Sequence, residues 1–305
     1  MGMEAVLSRA AYFIGIILLG YSLRQIGFFK EQDFHVLSKI VLKITLPAAI
    51  VFSFADKKID ASMLVISLLG LLGGFIYISA GFLISARASK EKKAFEIVNL
   101  SGYNIGNFTL PFVQSFLGPS GVVVTSLFDT GNAVICLGGA YSVASMVKGE
   151  SKGMPVLQIG RTLLKSVPFD AYLIMTVLSL LGLHLPSQIV SFAGIIADGN
   201  AFMAMLMIGV GFRLSGDKSQ LGTIIKILAV RYIVAVTLSV AFYFLLPMPL
   251  EYRQTLAILV FAPVASTAPV FTADLKGDIG LSSAINSISI LISICCIVGV
   301  VTLVL

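Results

Sequence analysis

Two stretches of this chain set proline among small polar residues inside long apolar runs. The first reads Asn99-Leu-Ser-Gly-Tyr-Asn104-Ile-Gly-Asn107-Phe-Thr-Leu-Pro111, and the second reads Pro263-Val-Ala-Ser266-Thr267-Ala-Pro269-Val-Phe-Thr272. Proline inside a helix removes one backbone donor, clashes with the preceding turn and biases the residue before it away from helix. The amino end of a half-helix left by such a break exposes unpaired amides and roughly half a positive charge, which suits a carboxylate. Asn104, Asn107, Ser266 and Thr267 add neutral hydrogen-bonding side chains beside Pro111 and Pro269. One such proline reads as a kink. Two, each within an Asn/Ser/Thr cluster, read as a site for an anion.

Two aspartates also lie within apolar runs, Asp129 in Ser126-Leu-Phe-Asp129-Thr130-Gly-Asn132 and Asp198 in Ile195-Ile-Ala-Asp198-Gly-Asn200. An aspartate at the centre of a membrane helix costs about 2.5–3.5 kcal/mol on insertion scales, so it is a functional candidate by default. Asp129 and Asn132 share a helical face with Thr125 and Cys136, and Ser282, Asn286 and Ser289 form a comparable stripe later on. Arg231 is a deep basic residue, either a partner for an aspartate or substrate anion or a chain that snorkels to the surface. His35 and His184 read as interfacial, and Lys39 and Lys43 as a snorkelling stripe. Asn107-Phe-Thr109 formally matches a glycosylation sequon but lies within the membrane. Ser215-Gly-Asp-Lys218 matches a hydrolase spacing without its companion motifs.

The elements that must position these residues follow from composition. The chain is 57% hydrophobic and 12% charged, about half the charge of a soluble domain, so it reads as a membrane protein. The net charge of +6 sits in short loops and is no nucleic-acid footprint. Cys136, Cys295 and Cys296 read as buried packing residues without disulfide or metal spacing, and no cleavable signal is expected. With no tryptophan, tyrosines such as Tyr12, Tyr21, Tyr172 and Tyr252 are the expected interfacial aromatics. Ten spans are expected, near 6–27, 34–55, 61–85, 94–117, 120–147, 167–185, 188–212, 221–247, 253–273 and 279–304.

Charge supports that count. The loops after the odd-numbered spans hold 16 of the 21 basic residues, among them Lys152, Arg213 and Lys218, against four on the other side. By the positive-inside rule both termini face away from the cytoplasm. The expected fold is an all-α polytopic membrane protein of two inverted five-helix repeats, 1–148 and 167–305, joined by a polar cytoplasmic linker over 149–166. Pro111 and Pro269 then sit in equivalent fourth spans, and matching breaks of this kind mark the substrate site of a transporter. Pro47, without a polar cluster, reads as a kink.

Several of these motifs resemble the auxin efflux carrier family, which includes plant PIN-type auxin carriers and bacterial permeases for malate or malonate. Asn104 stands seven residues before Pro111 as in the family's first crossover, and Pro263 and Pro269 followed by Val-Phe-Thr-Ala273 resemble its second, with a proline spacing one residue longer. Ala197-Asp198-Gly-Asn-Ala-Phe-Met203-Ala204-Met205 is similar to its seventh helix, and Pro47 to Ser53 to its second. The halves lack the long cytoplasmic loop of many plant members, which favours a bacterial-type carrier. The resemblance implies a fold shared with bile-acid symporters and sodium/proton antiporters. Helices 1, 2, 6 and 7 would form a scaffold, and helices 3–5 and 8–10 a transport domain that slides as an elevator.

The expected function is transport of a small organic anion, such as malate, malonate or an auxin-like acid, through the cell membrane. Asn104, Asn107, Ser266, Thr267 and the backbone near Pro111 and Pro269 would hold the carboxylate, with Asp198, Pro47 and Ser53 on the scaffold side. Asp129, Asn132 and Asn286 would support the crossover or handle a coupling ion, a proton or sodium. No other cofactor or metal and no nucleic-acid partner is expected, and pairing of two copies stays open. The rivals are a cation/proton antiporter on the same fold and a non-transporting membrane sensor or enzyme. Against the last stand the short loops and the absence of a catalytic cluster.

Overall fold

The computed structural model describes residues 3–55, 57–149, 154–212 and 220–304. Lys152, Arg213, Ser215 and Lys218 lie outside the described residues. Everything described is helix or connection, without a strand. In order, the helices are α1 (Met3–Gln25), α2 (Asp33–Ile40), α3 (Leu46–Phe54), α4 (Val65–Ile84), α5 (Lys90–Leu100), α6 (Leu110–Val134), α7 (Ala140–Lys148) and α8 (Val156–Leu163). They continue with α9 (Val167–Leu180), α10 (Ser187–Asp198), α11 (Asn200–Gly211), α12 (Leu221–Leu245), α13 (Leu250–Leu259), α14 (Ala268–Asp274) and α15 (Ile279–Val304). Wider π-helical turns over Val41–Thr45, Ile105–Thr109 and Ile135–Gly139 join α2 to α3, lead into α6, and join α6 to α7.

Among the described residues, seven helices are long and apolar enough to cross a membrane, or eight if the bent pair α8 and α9 counts as one span. Ten were expected. The count falls short because the segments around α5 and α13 are broken into pieces, and because 105–148 passes as one run although it turns a corner at Gly118. There φ is 61° and ψ is −155°, and Pro119 follows. A side chain would be strained in that left-handed backbone, so glycine allows the corner and proline restarts the helix.

The prolines act in two ways. Pro269 stands in the first turn of α14, where the missing N–H has no helical partner to lose, whereas Pro47 and Pro111 each follow a wide π-helical turn inside a continuous helical run that begins at Asp33 and at Ile105. Pro269 therefore starts a helix, while at Pro47 and Pro111 the wide turn just upstream takes up the clash of the ring with the preceding turn. The helical ladder is instead interrupted upstream, after Leu100 and after Leu259.

Small residues bring helices close. A Cβ on Gly131 would lie 1.8 Å from the Ser67 carbonyl, and one on Gly70 would lie 2.0 Å from that of Phe128. The backbones of α4 and α6 therefore touch, the usual way for helices to pack where lipid offers no hydrophobic drive. Asp60 caps the turn before α4 by accepting the Ser62 N–H at 2.7 Å, which holds its carboxyl below the ordinary range. Cys295, expected to be buried, is exposed.

Candidate functional site

The two interrupted segments meet at their gaps. Tyr103 and Val264 form an antiparallel bridge, and the Asn104 N–H donates to the Pro263 carbonyl at 3.0 Å. Irregular backbone survives at membrane depth only where its polar groups are satisfied, and side chains from α6 and α15 do that here. Asn132 Oδ1 accepts the Tyr103 N–H at 3.0 Å, while its Nδ2 donates to the Tyr103 carbonyl at 2.8 Å. On the other segment Ser289 Oγ accepts the Val264 N–H at 3.1 Å, and Asn286 Nδ2 donates to the Val264 carbonyl at 2.9 Å. Each gap thus has its own polar splint. A third tie joins Asn99, Thr272 and Ser282: Asn99 Nδ2 donates to Thr272 Oγ1 at 3.1 Å, and Ser282 Oγ donates to Asn99 Oδ1 at 2.5 Å.

Arg231 occupies the other side of the crossing and is fully buried. Its Nη1 donates to the Leu100 carbonyl at 2.6 Å, and its Nη2 reaches the carbonyls of Gly102, Ala262 and Pro263 at 3.0, 2.8 and 2.8 Å. These acceptors lie where α5 and α13 end. Each carboxyl end carries roughly half a negative charge, so one guanidinium offsets two helix ends. The rings of Tyr77 and Tyr103 lie 4.8 and 5.6 Å from its central carbon. Arg231 therefore neither pairs with an aspartate nor snorkels. It holds the crossover together.

A cavity of about 180 Å³ opens beside the crossing, lined by Asn104, Asn107, Asp129, Asn132, Ser266 and Thr267, with Leu42 and Tyr172 among its other walls. Asn107 Nδ2 donates to Ser266 Oγ at 3.4 Å across the two segments, while Asn107 Oδ1 is buried with no partner. Asp129 Oδ1 accepts from Asn132 at 2.8 Å and Oδ2 accepts from the Tyr172 hydroxyl at 3.0 Å. Gly102, at φ +77°, makes this close approach possible, since a Cβ there would lie 2.6 Å from Cys136 Sγ. The amino end of the helix that begins at Ile105 and continues through α6 faces this cavity through Ile105, Gly106 and Asn107. The arrangement presents neutral donors, one carboxylate and a positive helix end at one place.

The other expected residues lie elsewhere. Pro111 is buried inside α6. Pro269 and Asn286 line a second cavity of about 540 Å³ that also meets Arg24, Gln32 and His35. Pro47 and the buried Ser53 lie in α3, and Leu42, just before it, reaches the cavity instead. Asp198 is exposed at the end of α10 and lines neither cavity. Tyr172, expected among the interfacial aromatics, is buried against Asp129. A hydrogen-bonded chain that no local sequence pattern marks lies at the break between α10 and α11. There Thr45 Oγ1 donates to Asn200 Oδ1 at 2.9 Å, Asn200 Nδ2 to Gln114 Oε1 at 3.0 Å, and Gln114 Nε2 to the Ala197 carbonyl at 3.1 Å. Glu96, fully buried, pairs with Lys226 at 2.9 Å.

The chain belongs to the family described as membrane transport protein, whose profile matches residues 6–301 and is the auxin efflux carrier family domain. A comparison with curated proteins returns no match. With its apolar helices, the family makes this chain a multi-pass membrane transporter.

Proposed function

We propose that this transporter moves a small organic anion, a mono- or dicarboxylate, by an elevator-like slide of one helical unit past another. The observation that carries the reading is the convergence of both broken segments on one cavity, where Asn104, Asn107, Ser266 and Thr267 supply hydrogen bonds beside an amino-terminal helix end. A carboxylate seated there exchanges its water for these groups and for the partial positive charge of the helix. Asn107 Oδ1, buried without a partner, needs a donor, which the bound acid's hydroxyl, an amide turned the other way, or water would satisfy.

In this reading the chain has ten spans. Dividing 105–148 at Gly118 and joining the halves on either side of each gap turns the helices into two sets of five. The polar splints support an inverted repeat: Thr125, Asp129, Asn132 and Cys136 recur as Ser282, Asn286, Ser289 and Ser293 at one constant offset. Helices 1, 2, 6 and 7 form the fixed unit, including Pro47, Ser53 and Asp198, and the other six move. Asp129 sits on the moving unit and Tyr172 on the fixed one, so their hydrogen bond spans the sliding boundary, which supports reading Asp129 as the group that takes up a coupling proton. Both termini face away from the cytoplasm of the cell membrane.

The test is purified protein in liposomes with a broad carboxylate panel, and thermal stabilisation by each acid with and without sodium at two pH values. Binding or uptake of at least one acid is expected; none across the panel would defeat the proposal. Asp129 in the cavity wall also favours a second reading, cation/proton exchange. Sodium-driven proton flux without any organic solute would select it.

A further inference from the structure

Helix α8 stands apart from the transport machinery. It lies in the segment expected to be a plain polar linker, and its axis turns by 82° into α9. Its inner side is anchored: Ile159 packs so closely on Gly138 that a Cβ there would sit 2.9 Å from Ile159 Cγ1. The Met154 N–H, just ahead of the helix, donates to Ser142 Oγ of α7 at 3.1 Å. Its outer side is apolar and open, with Val156, Leu157 and the following Leu164 at 86%, 68% and 63% exposure. Leu157 and Arg161, four apart, share one face of α8, and Leu164 and Lys165 stand exposed in the turn directly after it, so two leucines and two exposed cations are grouped at this end.

A helix with that face has one environment that satisfies both halves of it. At the boundary of headgroups and acyl chains the leucines enter hydrocarbon while the cations meet phosphates, and an anionic leaflet attracts such basic residues. The bend supports the same placement, because a helix nearly perpendicular to a membrane-entering neighbour runs along the surface. We propose that α8 lies in the membrane interface on the side of the basic loops and binds anionic phospholipid headgroups through Arg161 and Lys165. The lipid then grips the joint between α7 and α9, which on the reading above is the hinge between the moving and fixed units. The surface site itself does not depend on that reading.

Because the chain contains no tryptophan, Leu157→Trp places a single indole on this face, and Leu164→Trp gives a second reporter should the first fail to fold. Each full-length variant is reconstituted in mixed phosphatidylcholine and phosphatidylglycerol vesicles, with bromine on the acyl chains of one lipid or the other. The expected result is blue-shifted emission, quenched more strongly by bromine near the glycerol than near the chain methyl. Brominated phosphatidylglycerol should be enriched roughly tenfold over brominated phosphatidylcholine. Adding Arg161→Gln and Lys165→Gln should erase that preference. Water-like, unquenched emission overturns the proposal. So does equal quenching by the two lipids before the charges are removed, as does strongest quenching from the chain methyl end, which would make α8 part of a span.

Discussion

The carboxamide of Asn132 takes both backbone groups of Tyr103, accepting its N–H at 3.0 Å and donating to its carbonyl at 2.8 Å. A side chain here replaces the strand or turn of helix that the backbone lacks at the crossing. Asn132→Ala leaves a buried donor and a buried acceptor unpaired, and each such loss costs about 1–3 kcal/mol. Asn132→Asp returns the acceptor without the donor and sets a second carboxylate beside Asp129. It should destabilise at least as much as alanine does. Thermal unfolding of the detergent-solubilised variants checks this, and an Asn132→Asp variant as stable as the parent would remove Asn132 from this role.

Arg231 makes a sharper demand, because its four carbonyl partners require a planar fork. Arg231→Met leaves those buried carbonyls without their donor, and each such loss costs about 1–3 kcal/mol, so the variant should be strongly destabilised. Arg231→Lys keeps the charge but reaches fewer acceptors, so it should recover only part of the loss. If lysine restores full thermal stability, charge alone suffices and the forked geometry is irrelevant.

The solute site predicts a different pattern. Asn104→Ala, Asn107→Ala and Ser266→Ala each remove one hydrogen-bonding group from the cavity wall, and each should weaken carboxylate binding about tenfold, equivalent to about 1.4 kcal/mol. Asp198→Asn, at an exposed position outside that cavity, should leave binding unchanged. Isothermal titration with the acid that gives the largest thermal stabilisation separates the two sets. Unaltered affinity in all three alanine variants would move the site elsewhere.

How much of this was legible in the sequence depended on whether the partner was local. The gaps announce themselves through Asn104, Asn107, Pro111, Ser266 and Pro269 because polar residues and proline stand out in apolar runs. The Asp129–Asn132 stripe is visible because helical spacing alone puts both on one face. Arg231 could be seen as unusual but not assigned, since its acceptors are backbone carbonyls of two separate segments, and carbonyls carry no sequence signal. Tyr172 resembled a surface aromatic because nothing near it in sequence reveals Asp129. Glu96 escaped notice beside Lys90, Lys92 and Lys93, where it reads as part of a solvated helix start, yet its partner Lys226 arrives from α12. The prolines mark the right segments but not the break itself, which falls at Gly102 rather than at Pro111, because the wide turn over Ile105–Thr109 accommodates Pro111 within a continuing helix.

The Asp129–Tyr172 hydrogen bond supplies the last prediction. Asp129→Asn can still accept from Tyr172, so the fold should survive with little change in thermal stability, but the side chain can no longer take up or release a proton. If Asp129 is the coupling group, an imposed proton gradient should drive solute accumulation in the parent and not in the variant, while exchange of solute at equilibrium continues. Tyr172→Phe keeps the ring and deletes the hydroxyl. It should leave accumulation possible but change its dependence on pH, because the carboxylate loses one of its two donors. Gradient-driven accumulation that persists in Asp129→Asn would show that the proton travels by another route, and would leave Asp129 a structural support for Asn132.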